Sequence, residues 1–354
     1  MKRWVQGGLL VALVAAVAVS MIGGCGTKPG QEEETKIKYF LGIDALPEEG
    51  ALWVLKGELT ATFIYEPPGA EGLRQALKIL ETGQPDEKRV TLATGVVNKE
   101  NVKEFIAKMG GGGDAEAGGE ATSSVEFDKP GGEVVEKKYV IGFSQVTVSE
   151  PWRVWFNDLL RKEAAKHPEV ELIIQDADDR TDKQASQMDA FIAQKVDAIL
   201  ISPKEAPGLT DVVKKATEAG IPVVVLDRDV LWDGYACFVG GDNMEIGRAA
   251  GREAVRLLGG EGQAKGVVYE ICGGLASTPA QERRDGFHEI VEKEPGITIL
   301  GGLDGDWKLN KAMAIMQDAL QRHANIDLVY AHNDPMAHGA FKAAKAAGRV
   351  AASE

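Results

Sequence analysis

From residue 139 to residue 347 the chain repeats one unit: a short Val- and Ile-rich run, a polar loop, and an apolar-striped stretch of helical period. The pattern predicts strands at 139–143, 170–175, 198–202, 223–227, 238–241, 266–272, 297–303 and 328–331. Helices are predicted at 152–166, 182–194, 208–219, 244–258, 279–293, 309–321 and 335–347. Strands that are each followed by a helix lie parallel, in sheets covered on both faces. There are too many for one tidy sheet, so the expected fold class is α/β, with two Rossmann-like lobes. The repeat ends on a helix at Ala347-Gly348-Arg349, with no strand after it.

More than a third of the 354 residues precede this repeat. A strand is expected at 37–43, with Asp44 at its C-terminal end, then a short helix at 47–55 and a strand at 59–65. Glu66-Pro67-Pro68-Gly69 breaks that strand, and 70–81 reads as a helix with Leu73, Leu77 and Leu80 on one face. A strand at 90–97 and a helix at 101–109 follow. The region 110–136 holds four consecutive glycines with Ala, Ser and Glu, a composition that buries no core and reads as a flexible linker. A first strand with no helix before it and a last helix with no strand after it suggest that 37–43 belongs, in space, after 347. The chain order is then circularly permuted. A flexible chain the length of the linker reaches roughly 25–30 Å, enough to cross a lobe.

The N-terminus reads as a leader. Lys2 and Arg3 precede an apolar run at 9–22, and Ile22-Gly23-Gly24-Cys25 resembles the lipobox of bacterial lipoproteins. The resemblance implies a signal peptide at 1–24, cleavage before Cys25, lipidation of Cys25, and a tether at 25–36 holding the protein to a membrane outside the cytoplasm. Cys237 and Cys272 sit in apolar strands and read as two buried thiols.

A net charge of −14 argues against a nucleic-acid or anionic-lipid surface and fits a small, weakly charged ligand. Motifs for other chemistry fail on inspection. Gly142-Phe143-Ser144-Gln145-Val146 lacks the last glycine of a nucleophile elbow. Asp176-Ala177-Asp178-Asp179-Arg180 puts a cation where a calcium loop needs an oxygen ligand. His167, His288, His323, His332 and His338 show no zinc spacing, and Gly259-Gly260-Glu261-Gly262 has no preceding strand to make a dinucleotide site. No cofactor, no metal and no enzymatic activity are expected.

In parallel sheets ligands sit beyond the C-terminal ends of strands. Asp227 and Arg228 follow a strongly apolar strand, where a charged pair is costly unless partnered. The carboxylate accepts from two hydroxyls and the guanidinium donates in a fixed fork, which suits a sugar. Trp152 and Arg153 open the helix after the strand at 139–143, and Trp307 sits in the loop Asp304-Gly305-Asp306-Trp307-Lys308. Two such rings offer faces to the C–H side of a sugar.

The body of the chain from 139 to 348 resembles periplasmic sugar-binding proteins of the ribose- and galactose-binding type. The resemblance rests on Ile141-Gly142-Phe143-Ser144-Gln145, Glu150-Pro151-Trp152-Arg153, Pro222-Val223-Val224-Val225-Leu226-Asp227-Arg228, Gly241-Asp242-Asn243, Gln281-Glu282-Arg283-Arg284-Asp285-Gly286-Phe287 and Ala331-His332-Asn333-Asp334-Pro335-Met336. The Ser-Gln and Trp-Arg pairs are similar to galactofuranose-binding members. Gly42-Ile43-Asp44-Ala45-Leu46-Pro47 and 59–72 resemble the segment that closes the same fold, displaced to the front. The resemblance implies two lobes hinged about a monosaccharide, an ABC importer permease as partner, and a monomer. It implies ligand contacts from Trp152, Arg153, Asp227, Arg228, Arg283, Trp307, Asn333, Asp44 and Tyr65, with Gln145 and Glu150 as weaker members and Asp242 at a lobe crossing. The first lobe is expected at 139–241 with 67–88, and the second at 242–349 with 37–66 and 90–108. The displaced segment is 37–108 and the linker 109–138. A sensor that presents sugar to a membrane receptor or kinase is the alternative.

Overall fold

The computed structural model describes residues 35–109 and 139–351. The leader, the lipobox at Cys25 and the glycine-rich run at 110–136 lie outside the described residues. Thr35, expected in the tether, is docked: its N–H donates to the Ala324 carbonyl at 3.0 Å and its carbonyl accepts from Arg349 Nε at 2.6 Å.

Two six-stranded sheets form two lobes. The first lobe contains β3 (Arg89–Leu92), β5 (Tyr139–Gln145), β6 (Val170–Asp176), β7 (Ala198–Ile201), β8 (Val223–Leu226) and β9 (Cys237–Gly241), in the order β3-β9-β8-β7-β5-β6, all parallel. Helices α2 (Gly69–Thr82), α4 (Pro151–Ala164), α5 (Thr181–Gln194) and α6 (Ala206–Glu218) cover it. The second lobe contains β1 (Tyr39–Leu41), β2 (Ala61–Phe63), β4 (Val96–Asn98), β10 (Lys265–Cys272), β11 (Gly296–Asp304) and β12 (Leu328–Ala331), in the order β11-β10-β12-β1-β2-β4. Only β4 runs antiparallel to its neighbour. Its helices are α1 (Gly50–Leu55), α3 (Val102–Lys108), α7 (Asn243–Leu257), α8 (Thr278–Val291), α9 (Leu309–Arg322) and α10 (Asp334–Ala346).

Local chemistry explains where the elements start and stop. Proline sits in the first turn of α4, α6, α8 and α10, where its missing N–H leaves no helical bond unmade. Helix α2 buries Leu73, Ala76 and Leu77 at helical spacing. The sheet interiors are Val, Ile and Leu runs buried on both faces, as in Val223-Val224-Val225-Leu226.

The pairing of β1 is the topological crux. It lies between β12 and β2, with Tyr39 opposite Leu328 and Leu41 opposite Tyr330. The first described strand therefore occupies the place after the last helix.

One expectation needs correction. The stretch 90–97 was expected to be a single strand returning to the second lobe. Instead β3 pairs with β9 in the first lobe, Ala93–Gly95 cross over, and β4 pairs with β2 in the second. The crossing is held at Ile64, whose N–H donates to the Gly95 carbonyl and whose carbonyl accepts from Thr94 Oγ1. The other crossings run through Tyr65–Pro68 and Gly241–Asp242. Asp242 caps α7 by accepting from the Glu245 N–H at 2.9 Å, a structural role at the lobe boundary.

Cys237 and Cys272 are free and buried, one in each sheet. No described helix is long and apolar enough to cross a membrane.

Candidate functional site

The C-terminal ends of the strands of both sheets face each other across a small, tightly closed cavity. All nine residues singled out from the sequence line it: Asp44 and Tyr65, Trp152 and Arg153, Asp227 and Arg228, Arg283, Trp307 and Asn333. Each is at most 9% exposed, so the lobes are closed on one another. Glu150 lines the cavity as well.

The first lobe contributes an ion cluster. Asp227 follows β8 directly, with φ at 66°, a left-handed conformation that Asp tolerates better than most residues. Its Oδ2 accepts from Arg153 Nη2 at 2.6 Å and from Ser202 Oγ at 3.3 Å. Arg228 Nε lies 3.7 Å away. Burial alone would raise the Asp227 pKa, but the two guanidinium charges outweigh it and hold the carboxylate below its ordinary value. Arg153 reaches this point from the first turn of α4 and also donates to Ser202 Oγ at 2.8 Å. Gln145, buried below, bonds Asn157 and stands 3.5 Å from Arg153. Arg228 is depressed by burial first and by the Arg153 charge second. Its guanidinium lies over the Trp307 ring at 5.4 Å.

The second lobe contributes aromatic and amide groups. Tyr65, just past β2, donates from its hydroxyl to Asp227 Oδ1 at 2.6 Å, a bond between the lobes. Burial, then the Asp227 charge, push its pKa far above the ordinary tyrosine range. Its ring stacks on Trp152 at 5.3 Å and carries the Arg283 guanidinium at 4.4 Å on a face. Trp152 Nε1 donates to the Tyr65 carbonyl at 2.9 Å. Arg283 is itself fixed by Asn243 Oδ1 at 2.9 Å and the His332 carbonyl. Asn333 caps α10 through its Oδ1 and donates from Nδ2 to the Trp307 carbonyl at 3.1 Å. Its amide is thus mostly committed to holding the Trp307 loop, where Asp306 and Trp307 both have positive φ. Asp44 ends its strand with φ at 132°.

The sequence reading missed Ser202, which joins Arg153 to Asp227, and Asp334, which stands behind Asp44. Ser202 sits at a strand end like the residues that were found; that position was its signal. Outside the cavity, His332 Nε2 and His288 Nε2 both approach the buried Glu270 carboxylate, at 3.2 and 3.0 Å. Burial would raise Glu270, but the two histidines pull it down to about 2. Among the described residues Glu270, Cys272 and His332 bring three ligand-type atoms within 4.8 Å, yet the carboxylate is already satisfied by the two rings.

What this arrangement can do is bind a small polyhydroxyl molecule. It offers charged donors and acceptors in fixed positions with indole faces beside them.

Comparison with known proteins agrees. The family model "Periplasmic binding protein domain" matches residues 141–353. The ribose import binding protein RbsB of Bacillus subtilis (strain 168) is 32% identical over 225 residues, 63% of this chain and 71% of that protein. The galactofuranose-binding protein YtfQ of Escherichia coli (strain K12) is 35% identical over 214 residues, 59% of this chain and 66% of that one. Among solved structures, the fructose binding periplasmic domain of a hybrid two component system shares 40% identity at a TM-score of 0.57, over 60% of this chain and 69% of its own. These relatives are binding proteins rather than enzymes. With two parallel-strand lobes, a closed interlobe cavity and a family match over residues 141–353, the chain belongs to the periplasmic binding protein family.

Proposed function

We propose that this protein captures a monosaccharide between its lobes outside the cytoplasm and delivers it to the permease of an ABC importer. The observation that carries the reading is the convergence of Arg153, Asp227 and Arg228 from one lobe with Asp44, Arg283 and Trp307 from the other on one small cavity. Carboxylates and guanidiniums in fixed geometry suit vicinal hydroxyls, and the indole faces suit the C–H side of a sugar ring. Lobe closure then presents a ligand-dependent surface to the permease. The lipobox ending at Cys25 motivates a lipid anchor, with the protein acting as a monomer at the cell envelope. Calorimetric titration with a panel of pentoses and hexoses, including furanosides, tests the binding reading. Micromolar affinity, about −8 kcal/mol, is expected for one of them. Folded protein that binds none better than millimolar would count against it. Mass spectrometry of the mature N-terminus tests the anchor.

A second reading is supported by one observation: the 40% identical structure is the sugar-binding domain of a two component system. A sensor would bind the same sugar but bind a receptor ectodomain instead of a permease, which co-purification separates.

The circular permutation belongs to this proposal. Its support is the seat of β1 between β12 and β2, together with a family model whose match runs from residue 141 to residue 353. A chain reordered as 139–351 followed by 37–108 is expected to fold and bind the same sugar. Failure of that chain to fold would speak against it.

A further inference from the structure

The hydroxyl of Tyr65 does something that packing does not ask of it. The ring is buried in a closely fitted seat. It stacks on Trp152 at 5.3 Å and carries the Arg283 guanidinium at 4.4 Å. A Cβ at Gly241 would stand 2.5 Å from the ring edge, so the crossing strand has glycine where Tyr65 lies against it. The backbone is pinned as well. The Tyr65 N–H donates to the Asp44 carbonyl at 3.4 Å, its carbonyl accepts from Trp152 Nε1 at 2.9 Å, and Pro67 and Pro68 follow close behind. A phenylalanine would fill this seat. The hydroxyl is an addition, and it is committed to Asp227 Oδ1 at 2.6 Å. A ring packed on both faces and one edge cannot turn aside, so a ligand cannot displace that bond while the lobes are closed.

Asp227 is then nearly saturated before any ligand arrives. A carboxylate has about four lone-pair sites for donors. Its Oδ2 takes Arg153 Nη2 at 2.6 Å and Ser202 Oγ at 3.3 Å, and its Oδ1 takes Tyr65. Only about one site remains. The two ligand hydroxyls that the residue type alone suggests for this carboxylate are thereby reduced to one.

We propose that Tyr65 is a specificity-determining residue: its hydroxyl stands in for a ligand hydroxyl on Asp227, so the site takes a monosaccharide that offers this carboxylate one hydroxyl and carries hydrogen at the adjacent position. The ligand class is a deoxy sugar. This deepens the sugar-binding reading and rests on it. The selection works by exclusion. A second hydroxyl at this corner finds its acceptor taken and loses its water without gaining a bond.

The test is calorimetric titration of the wild type and Tyr65→Phe with three pairs of sugars. They are D-ribose and 2-deoxy-D-ribose, D-galactose and 2-deoxy-D-galactose, and D-galactose and its 6-deoxy form, D-fucose. In the wild type at least one deoxy sugar is expected to bind as tightly as its parent, or more tightly. Phenylalanine keeps the ring, its stack and the cation on its face, and returns one acceptor site to the ligand. For that pair the ratio of parent to deoxy affinity should rise about tenfold in the variant, the worth of one hydrogen bond to a charged group. A residue that only holds the structure together would weaken both members alike; an unchanged ratio overturns the proposal. So does a wild type that loses about tenfold or more on every deoxy sugar, a result that needs no variant to fold. If sugars bind and the ratio does not move, the sugar-binding reading stands and the role of Tyr65 falls. If no sugar binds either protein, the reading itself falls and this inference with it.

Discussion

The two walls of the cavity are built on opposite principles. In the first lobe Asp227 is saturated: Arg153, Ser202, Tyr65 and Arg228 all address one carboxylate, which stays charged. In the second lobe Asp334 keeps one buried carboxyl oxygen without a donor, behind a backbone held at unusual angles at Asp44 and Ala45. One wall is an ion pair preorganised for hydroxyl groups. The other is a strained, proton-holding edge. Their pH signs differ accordingly. Asp227 contributes stability that is present above the ordinary Asp value and lost as pH falls through its lower folded-state value. Asp44 and Asp334, each raised chiefly by burial, contribute stability that is present at low pH and lost as pH rises. Protein of this kind should have a stability maximum bounded on the two sides by two different walls.

The sharpest way to break the contrast is Asp227→Ala. It leaves the buried Arg153 with only the longer 3.9 Å contact to Glu150 for a counter-charge, so a loss of roughly 3–5 kcal/mol in urea unfolding and roughly a hundredfold or more in sugar affinity is expected. Unchanged unfolding would mean that the pair is not saturating that wall. Trp307→Ala removes an indole face and the ring under Arg228; roughly tenfold weaker binding and, because the ring is buried, a loss of about 3 kcal/mol in stability are expected by calorimetry. Tyr65→Phe deletes the hydroxyl that ties the second lobe to Asp227. Roughly 1–2 kcal/mol of stability should go, measured by unfolding, while the aromatic stack on Trp152 remains. The smallest effect belongs to the rim, where Lys308 of the second lobe reaches Asp179 of the first at 2.9 Å. Asp179 also accepts from Lys204. Lys308→Met should speed sugar release in stopped-flow only a few-fold, and added salt should erase the difference, because half-exposed pairs are worth under about 1 kcal/mol.

Much of this was legible in the residues. Strand ends carry the site in parallel sheets, so Asp227-Arg228, Asp44 and Asn333 were found from strand position as much as from resemblance. The two tryptophans were found because indoles in polar loops have little other use. The seat of β1 followed from counting: a helix without a strand after it and a strand without a helix before it. The division of 90–97 between the lobes was not legible, because Val90 to Val97 has the composition of one strand and only Gly95 marks the break. Asp334 escaped because its consequence lies in what surrounds it. Nothing in the run Asn333-Asp334-Pro335 reveals that Gly42 and Gly50 have been emptied for it from the far end of the chain.

The seat of β1 also sets an order of events. Ala45 is tied to Asp334 across 289 positions, and β1 alone joins β2 and β4 to the rest of their sheet. A ribosome releasing this chain produces β1 long before its partner β12. The entropy of closing so long a loop must be met before any of those contacts is gained. Until then the edge of β1 that receives β12 is unpaired and open to mispairing with other chains. Refolding should therefore show the first lobe's sheet becoming protected from hydrogen exchange early and the second lobe's sheet late. Dilution should improve the yield.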